Sequence, residues 1–248
     1  MTAERGAHVI ADAASRRLKA GKIVAVLARR RALAGVRLLE IGCGSGHMSA
    51  AFATAVGVSG SVTAADRTDA RHVRDGFEFR LVAGTALPFE DGRFDVVVSN
   101  HVIEHVGDRA DQAHHVRELA RVLAPSGIGY VAAPSRWTLI EPHYRLPCLS
   151  WLPQSTADRY VRWTGRGNWY DVVPITPSTL AELAAAAGLD HENVTHEVAM
   201  LTAEREEMST ATRLAVKAPS RLFELLGPIV PVTAFVVHHR PVERLRPR

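Results

Sequence analysis

The stretch LLEIGCGSGHMS, Leu38 to Ser49, decides how this chain folds. A short apolar run enters Gly42, Gly44 and Gly46, and a helical pattern, HMSAAFATAV (47–56), begins immediately after them. Glycine is required where the backbone turns sharply and where a ligand must approach with no Cβ in between. A helix that starts at such a turn points unpaired N–H groups out of its first turn. Strand, glycine turn and helix are therefore expected here, with the strand at 36–42.

The same alternation continues downstream. SVTAADR (61–67) reads as a strand ending in an acid, FEFRLVAG (77–84) as a third strand, and FDVVVSN (94–100) as a fourth. A helix is expected over 108–123, halted at Pro125-Ser126-Gly127, followed by the strand IGYVAAP (128–134). Strands alternating with helices make βαβ units and a parallel sheet covered on both faces. Residues 7–34, rich in Ala and Arg with Val9, Ile10, Ile23, Val24, Val26 and Leu27 as apolar points, read as one or two helices before the main fold. After Pro134 the periodicity stops, prolines recur at 142, 147, 153, 174 and 177, and the segment reads as an insertion. Regular structure resumes with TPSTLAELAAAAGL (176–189), a helix with Thr176 or Ser178 as cap and Gly188 at its C-terminal end. A strand at about 191–199, a helical stretch near 202–226 and a last strand VPVTAFVVHH (230–239) complete the pattern. The expected organisation is one domain: an N-terminal helical segment (1–34), a core (36–134), an insertion (135–175) and a C-terminal part (176–248).

Bulk properties narrow the function. Of 248 residues, 47% are apolar and 23% charged, the balance of a water-soluble globular chain. The first residues carry no apolar signal region and no run of about 18 apolar residues occurs, so a cytoplasmic protein without a membrane span is expected. Cys43 and Cys148 are too few for a disulfide framework and lack zinc-type spacing. The formal charge is +4, and Arg16, Arg17, Lys19, Lys22, Arg29, Arg30, Arg31 and Arg37 stand together with no acid from 13 to 39. A solvated helix face is expected there ahead of a nucleic-acid surface.

The loop's spacing selects the ligand. Counting from Gly42 and Gly44, a dinucleotide-type G-x-G-x-x-G would place its third glycine at position 47, where His47 stands. The observed order is G-x-G-x-G, with Glu40 two residues before the first glycine and Asp66 ending the second strand. An acid at the loop repels a pyrophosphate and suits a ligand bearing an ammonium or sulfonium group, and the absence of G-K-[ST] removes a P-loop's phosphate grip. Asp66, twenty residues after Gly46, can accept hydrogen bonds from two ribose hydroxyls.

The glycine loop, the acid ending strand two, and AGTALPFEDGRFDVVVSNHVIEHV (83–106) together resemble the class I S-adenosylmethionine (SAM)-dependent methyltransferases, in particular their small-molecule branch. The resemblance covers about residues 36–134. It implies an α/β, Rossmann-like fold: a seven-stranded, mostly parallel sheet with helices on both faces, N-terminal helices and an aromatic insertion after the fifth strand. It also implies SAM as cofactor and S-adenosylhomocysteine as product. Carried over, Glu40, Gly42, Gly44 and Gly46 would line the methionine end and Asp66 would bind the ribose. Thr85 and Ala86 would border the adenine, and Asn100 with His101 would meet the methionine ammonium. The family often has Asp where Thr85 stands, which leaves only a hydroxyl to accept from the adenine amine.

HVIEH (101–105) also spells H-x-x-E-H, a zinc-peptidase word. That site needs both histidines inside a long helix and a further ligand. Here the word follows a strand and is closed by Gly107-Asp108 with no evident third ligand, so no metal is expected. His105 and Glu104 read as scaffold, and His114 and His115 as lying on a largely exposed helix.

The acceptor end is expected in the insertion. All four tryptophans (137, 151, 163 and 169) and three of the four tyrosines (144, 160 and 170) fall between 137 and 170, as a pocket or as the insertion's own small core. EPHYRLP (141–147) offers His143 as a base for a hydroxyl acceptor, oriented by Glu141, with His101, His105 and Asp171 behind it. Trp137, Tyr144, Arg166, Trp169 and Tyr170 are the expected substrate contacts. The reading is O-methylation of a sugar, oligosaccharide or polyketide-like metabolite by a monomer or homodimer. Alternatives are a C- or N-methyltransferase of the same fold acting on a lipid, quinone or amine, and a non-catalytic SAM- or nucleic-acid-binding module. Ser99-Asn100-His101-Val102 is not the N-P-P-aromatic word of nucleic-acid amine methylation, so a nucleic-acid acceptor is disfavoured.

Overall fold

In a computed structural model of the chain, residues 13–206, 210–218, 223 and 231–241 are described. Helix α1 spans Ala13–Ala28, β1 Arg37–Ile41, α2 His47–Val56, β2 Ser61–Asp66, β3 Glu78–Leu81 and β4 Phe94–Asn100. Helix α3 follows at Arg109–Val122, β5 at Leu123–Pro134, α4 at Gln154–Trp163 and α5 at Pro177–Ala186. The chain continues through β6 (Leu189–Asn193), α6 (Thr195–Arg205), α7 (Thr210–Val216) and β7 (Val232–His239). The sheet has seven strands in the order β3-β2-β1-β4-β5-β7-β6. The first five run parallel, and β7 lies antiparallel between β5 and β6. Strand order reverses beside β1, which puts the C-terminal ends of β1 and β4 at the switch point where open α/β sheets bind ligands.

Side-chain alternation along the central strands explains the two-faced covering. Leu38, Val96, Val98, Tyr130, Ala132, Ala234 and Val236 share one core with Ile23 and Leu27 of α1, Phe52 of α2 and Leu201 of α6. Their strand neighbours Leu39, Val97, Val131, Ala133, Phe235 and Val237 face the other way, against Val116 and Leu119 of α3 and Leu180 and Ala184 of α5. Each strand thus reads as a continuous apolar run because both of its faces are buried. The insertion keeps a separate small core of Leu146, Leu149, Ala157, Val161, Tyr170 and Val172.

Helix ends follow local chemistry. Asp108 caps α3 through the N–H groups of Ala110 and Asp111, and Asp111 returns a bond to the Asp108 N–H. Thr176 caps α5 through Thr179 N–H, with Pro177 in the first turn, as the sequence indicated. The strand expected over 191–199 is shorter: β6 ends at Asn193, whose side chain accepts from Thr195 N–H and starts a helix. Val198 and Leu201 of that helix pack on the core beside α1, a helical spacing that a strand cannot satisfy. The helical stretch expected near 202–226 is met by the end of α6, by α7 and by Phe223, while residues 207–209, 219–222 and 224–226 of it lie outside the described residues. Val9 and Ile10 of the N-terminal segment lie outside the described residues.

The basic segment is largely neutralised. Arg29 and Arg30 pair with Glu197, Arg30 also with Glu192, Arg37 and Arg31 with Asp95, and Lys22 with Glu206. These pairs tie α1 and the start of β1 to α6, β6 and β4, and they draw the field of the cluster inward. Among the described residues no helix is long and apolar enough to cross a membrane.

Candidate functional site

Three glycines at the end of β1 adopt positive φ: 78° at Gly42, 49° at Gly44 and 78° at Gly46. They do different jobs. A Cβ at Gly42 would lie 2.4 Å from Val102 Cγ2, and one at Gly46 would lie 2.3 Å from the Val73 carbonyl oxygen. Those two are required by packing. A Cβ at Gly44 would meet nothing within 4 Å, so this glycine faces open space in front of the N-terminus of α2. Asp66 reaches back across the turn: Oδ2 accepts from Gly44 N–H at 2.8 Å, and Oδ1 accepts weakly from Thr68 N–H at 3.3 Å. Remaining lone pairs on this half-buried carboxylate can take the hydroxyls of a sugar. A cradle with one vacant Cβ position, a helix start and an acid fits a nucleoside ligand.

Glu40 sits beneath the cradle, 3% exposed, and accepts from the Ser49 hydroxyl. Burial raises its pKa to about 8, against the opposing pull of Ser49 and Arg16 and with a further push from Asp66. It joins the end of β1 to Ser49 in the first turn of α2. Thr85, expected at the adenine, is bonded at 2.7 Å to His114 Nδ1 of α3.

The end of β4 is the second half of the site. Asn100 is half-buried there, and His101 turns the chain with φ 58° while its N–H donates to the Ala132 carbonyl at 2.8 Å. HVIEH is therefore a strand exit and a single 3-10 turn, Ile103–His105. His115 does not lie exposed: it is 2% accessible and bonded to the Ser99 hydroxyl at 2.9 Å, because Gln112, His115, Val116 and Leu119 form the inward stripe of α3. Burial pushes its pKa down to about 4, so the ring is neutral near pH 7.

The insertion brings its own groups to this turn. Val173 N–H donates to the Glu104 carbonyl at 2.9 Å, and the Gln112 amide donates to the Ile103 and Val173 carbonyls. Residues 139–148 double back through Cys148 N–H to Leu139 O and Glu141 N–H to Leu146 O. Glu141, 1% exposed, holds that turn with both oxygens: Oε2 accepts from Tyr144 N–H at 2.6 Å and Oε1 meets His143 Nδ1 at 2.7 Å. Burial opposes a charged His143 ring, but the bond and charge of Glu141, aided by Glu104 and Asp171, raise its pKa above the ordinary value. His143 Nε2 then lies 3.2 Å from His105 Nε2. His143, Glu141 and His105 are thus brought together, and His101 Nδ1 and His105 Nε2 both approach Glu104 Oε1, at 3.5 and 3.9 Å.

The remaining expected contacts divide. Tyr144 and Tyr170 form an edge-to-face pair at 5.5 Å within or against the insertion's core, and the Tyr144 hydroxyl donates to Asp171 at 2.7 Å. Trp137 pairs edge-to-face with Trp151, and both are 40% exposed. Trp169 and Arg166 are exposed.

Residues 39–131 match the model of the family described as "Methyltransferase domain". The chain is 31% identical over 135 residues to a protein of Bartonella tribocorum named "Ubiquinone biosynthesis O-methyltransferase", covering 50% of this chain and 52% of that one. A protein of the same name from Ruegeria pomeroyi is 29% identical over 180 residues, 69% of this chain and 66% of its own length. The chain thus spans between half and two thirds of these curated relatives. A solved structure titled as an S-adenosylmethionine-dependent methyltransferase from Mesorhizobium loti superposes with a TM-score of 0.56 at 16% identity, covering 86% of this chain and 95% of that one. At that identity the likeness concerns the fold.

Two outcomes follow from the cradle. Gly44→Ala should cost only the left-handed strain of about 1–2 kcal/mol, a modest drop in melting temperature, while weakening SAM binding measured by calorimetry, since its Cβ meets no protein atom and clashes only with a ligand. Gly46→Ala should instead lower thermal stability markedly, because its Cβ meets backbone and the left-handed conformation costs about 1–2 kcal/mol more. Equal loss of stability in both variants would show that the loop has no ligand-facing glycine. Glu40 gives a pH signature. Unfolded, it loses its proton above about pH 4.5, whereas folded it keeps it to about pH 8, so stability should fall as pH rises through that window. Denaturant titrations from pH 5 to 8 should show a shallower decline for Glu40→Gln; parallel curves would count against a proton held at Glu40.

Proposed function

We propose that the protein transfers a methyl group to a hydroxyl of a small molecule, a reading supported by the match of residues 39–131 to the methyltransferase-domain model and by the likeness of its fold to that of a SAM-dependent methyltransferase. The observation that carries this reading is the His143–Glu141 pair, held by the insertion against the end of β4 on the cofactor edge of the sheet.

SAM, when bound, supplies an electrophilic methyl on a sulfonium, and the group it leaves is a neutral thioether. Gly44 leaves room for the ligand, Asp66 takes its sugar, and the strand end at Asn100 and His101 closes the methionine side. The protein's task is to hold the acceptor oxygen in line and to take its proton. Glu141 accepts the Nδ1 proton of His143, which fixes the tautomer and leaves Nε2 as the basic atom. In the cation-free protein that Nε2 receives the hydroxyl proton as the oxygen–methyl bond forms. The surrounding surface is apolar and aromatic, with Trp137, Trp151, Leu139 and Ile140 partly exposed beside the 139–148 turn. The expected acceptors are sugars, oligosaccharides and polyketide-like metabolites. A ring-borne hydroxyl of the last kind agrees best with that surface and with the names of the relatives.

The test is a screen of hydroxylated acceptors with methyl-labelled SAM, locating the label by mass spectrometry. His143→Ala should lower kcat by about 10²–10⁴-fold while leaving SAM affinity nearly unchanged. An unchanged rate would remove His143 from the chemistry, and NADH binding in place of SAM would remove the reading altogether.

A further inference from the structure

Beside the proposed base stands a group that base chemistry does not use. Glu104 is fully buried, and neither of its carboxylate oxygens has a hydrogen-bond partner among the described residues. Its nearest cationic or donor groups are His101 Nδ1 at 3.5 Å and His105 Nε2 at 3.9 Å. A carboxylate taken out of water costs several kcal/mol unless a charge or strong donors compensate it, and with no donor among the described residues in hydrogen-bond range of either oxygen, Glu104 has room for a closer counter-charge. Next to it, His105 Nε2 and His143 Nε2 point at each other at 3.2 Å with their rings at 89°. One ligand atom from each of Glu104, His105 and His143 lies within 4.8 Å of the others.

The spacing suits a cation. A tetrahedral cation with bonds of about 2.0–2.1 Å to nitrogen holds neighbouring ligand atoms about 3.4 Å apart. The Nε2 pair stands at 3.2 Å, Glu104 Oε1 lies 3.9 Å from His105 Nε2, and all three ligand atoms fall within 4.8 Å of one another. Behind His143 stands Glu141, whose Oε1 takes the Nδ1 side at 2.7 Å, the carboxylate–histidine arrangement that orients a metal ligand and strengthens its donor nitrogen. We propose that Glu104, His105 and His143 bind a divalent transition-metal cation of the zinc type, with Glu141 as outer partner and one coordination position open. Two imidazoles and a carboxylate favour such an ion over Mg²⁺ or Ca²⁺, which demand mostly oxygen ligands in larger number. HVIEH is then half of a metal site after all, through its Glu and second His; the missing ligand comes from the insertion, 38 residues on.

The cation's part in the reaction rests on the proposed function, whereas its binding does not. With the cation in place, the acceptor hydroxyl occupies the open position and its ionisation becomes easier. The O–H bond breaks and the proton goes to water. The oxygen–methyl bond forms as the carbon–sulfur bond breaks, and that electron pair stays on sulfur.

Full-length protein dialysed against EDTA and then titrated with Co²⁺ tests the site directly, with calorimetry and visible absorption as readouts. One Co²⁺ per chain should bind, give the visible bands of a four-coordinate ion, and be displaced by Zn²⁺ but not by Mg²⁺. Glu141→Gln should weaken binding about tenfold or more, and His105→Ala with His143→Ala should abolish it, with circular dichroism confirming that the variants fold. Substoichiometric binding to the parent protein, or equal binding by the folded double variant, would overturn the proposal. Stoichiometric binding in a protein that methylates no hydroxyl would support the metal site and count against the proposed function instead.

Discussion

The structure depends on one turn. Between Ile41 and His47 the chain leaves the central strand, reverses, and starts a helix within five residues, and it can do so only with three residues at positive φ. Gly42 and Gly46 are fixed by their neighbours, Val102 and Val73. Gly42 N–H bonds the Ala65 carbonyl and Gly44 N–H bonds Asp66, so the turn also locks β1 to the end of β2. Once α2 is aimed by this turn it must pack Phe52 and Met48 on one face of the sheet. The same geometry leaves Gly44 open at the switch point. Packing and ligand access are thus satisfied by adjacent residues in a single loop.

A second constraint is polar and lies at the end of β4. Ser99, Glu104, Gln112 and His115 are all buried there or on the inward stripe of α3. His115 is kept neutral by burial and bonded to Ser99, and Gln112 spends its amide on two backbone carbonyls. Glu104 alone lacks hydrogen bonds on its carboxylate, and it is the one aimed at His105 and the insertion. Burial by itself would push its carboxyl upward, yet the neighbouring His101 and His105 hold it below its ordinary range. This buried acid beside two facing imidazoles is the geometry on which the proposed cation site rests.

The core was legible in the sequence because it is made of local signals. The apolar runs of β1, β4 and β5, the glycine spacing and the acid closing β2 each report on backbone a few residues away, and all of them lie where expected. The expected pairing of His143 with Glu141 also holds, since two residues in one turn carry their own geometry. What was not legible required contact across the chain. The strand expected at about 191–199 stops at Asn193 because α6 is drawn onto α1 by Val198 and Leu201. His114 and His115 could not be placed without knowing which stripe of α3 faces Thr85 and Ser99. The partnership of HVIEH with His143 was hidden for the same reason: a whole helix and strand, α3 and β5, lie between them, and no local spacing relates the two.

The central claim is that the loop, its open glycine and Asp66 form a SAM site. Isothermal calorimetry with SAM, on the parent protein and on Asp66→Ala, measures it most directly. The account predicts one SAM per chain, at least about tenfold weaker binding in Asp66→Ala from loss of hydrogen bonds to a charged acceptor, and no heat with NADH. Equal SAM affinity in parent and variant, or NADH binding in preference to SAM, would contradict it.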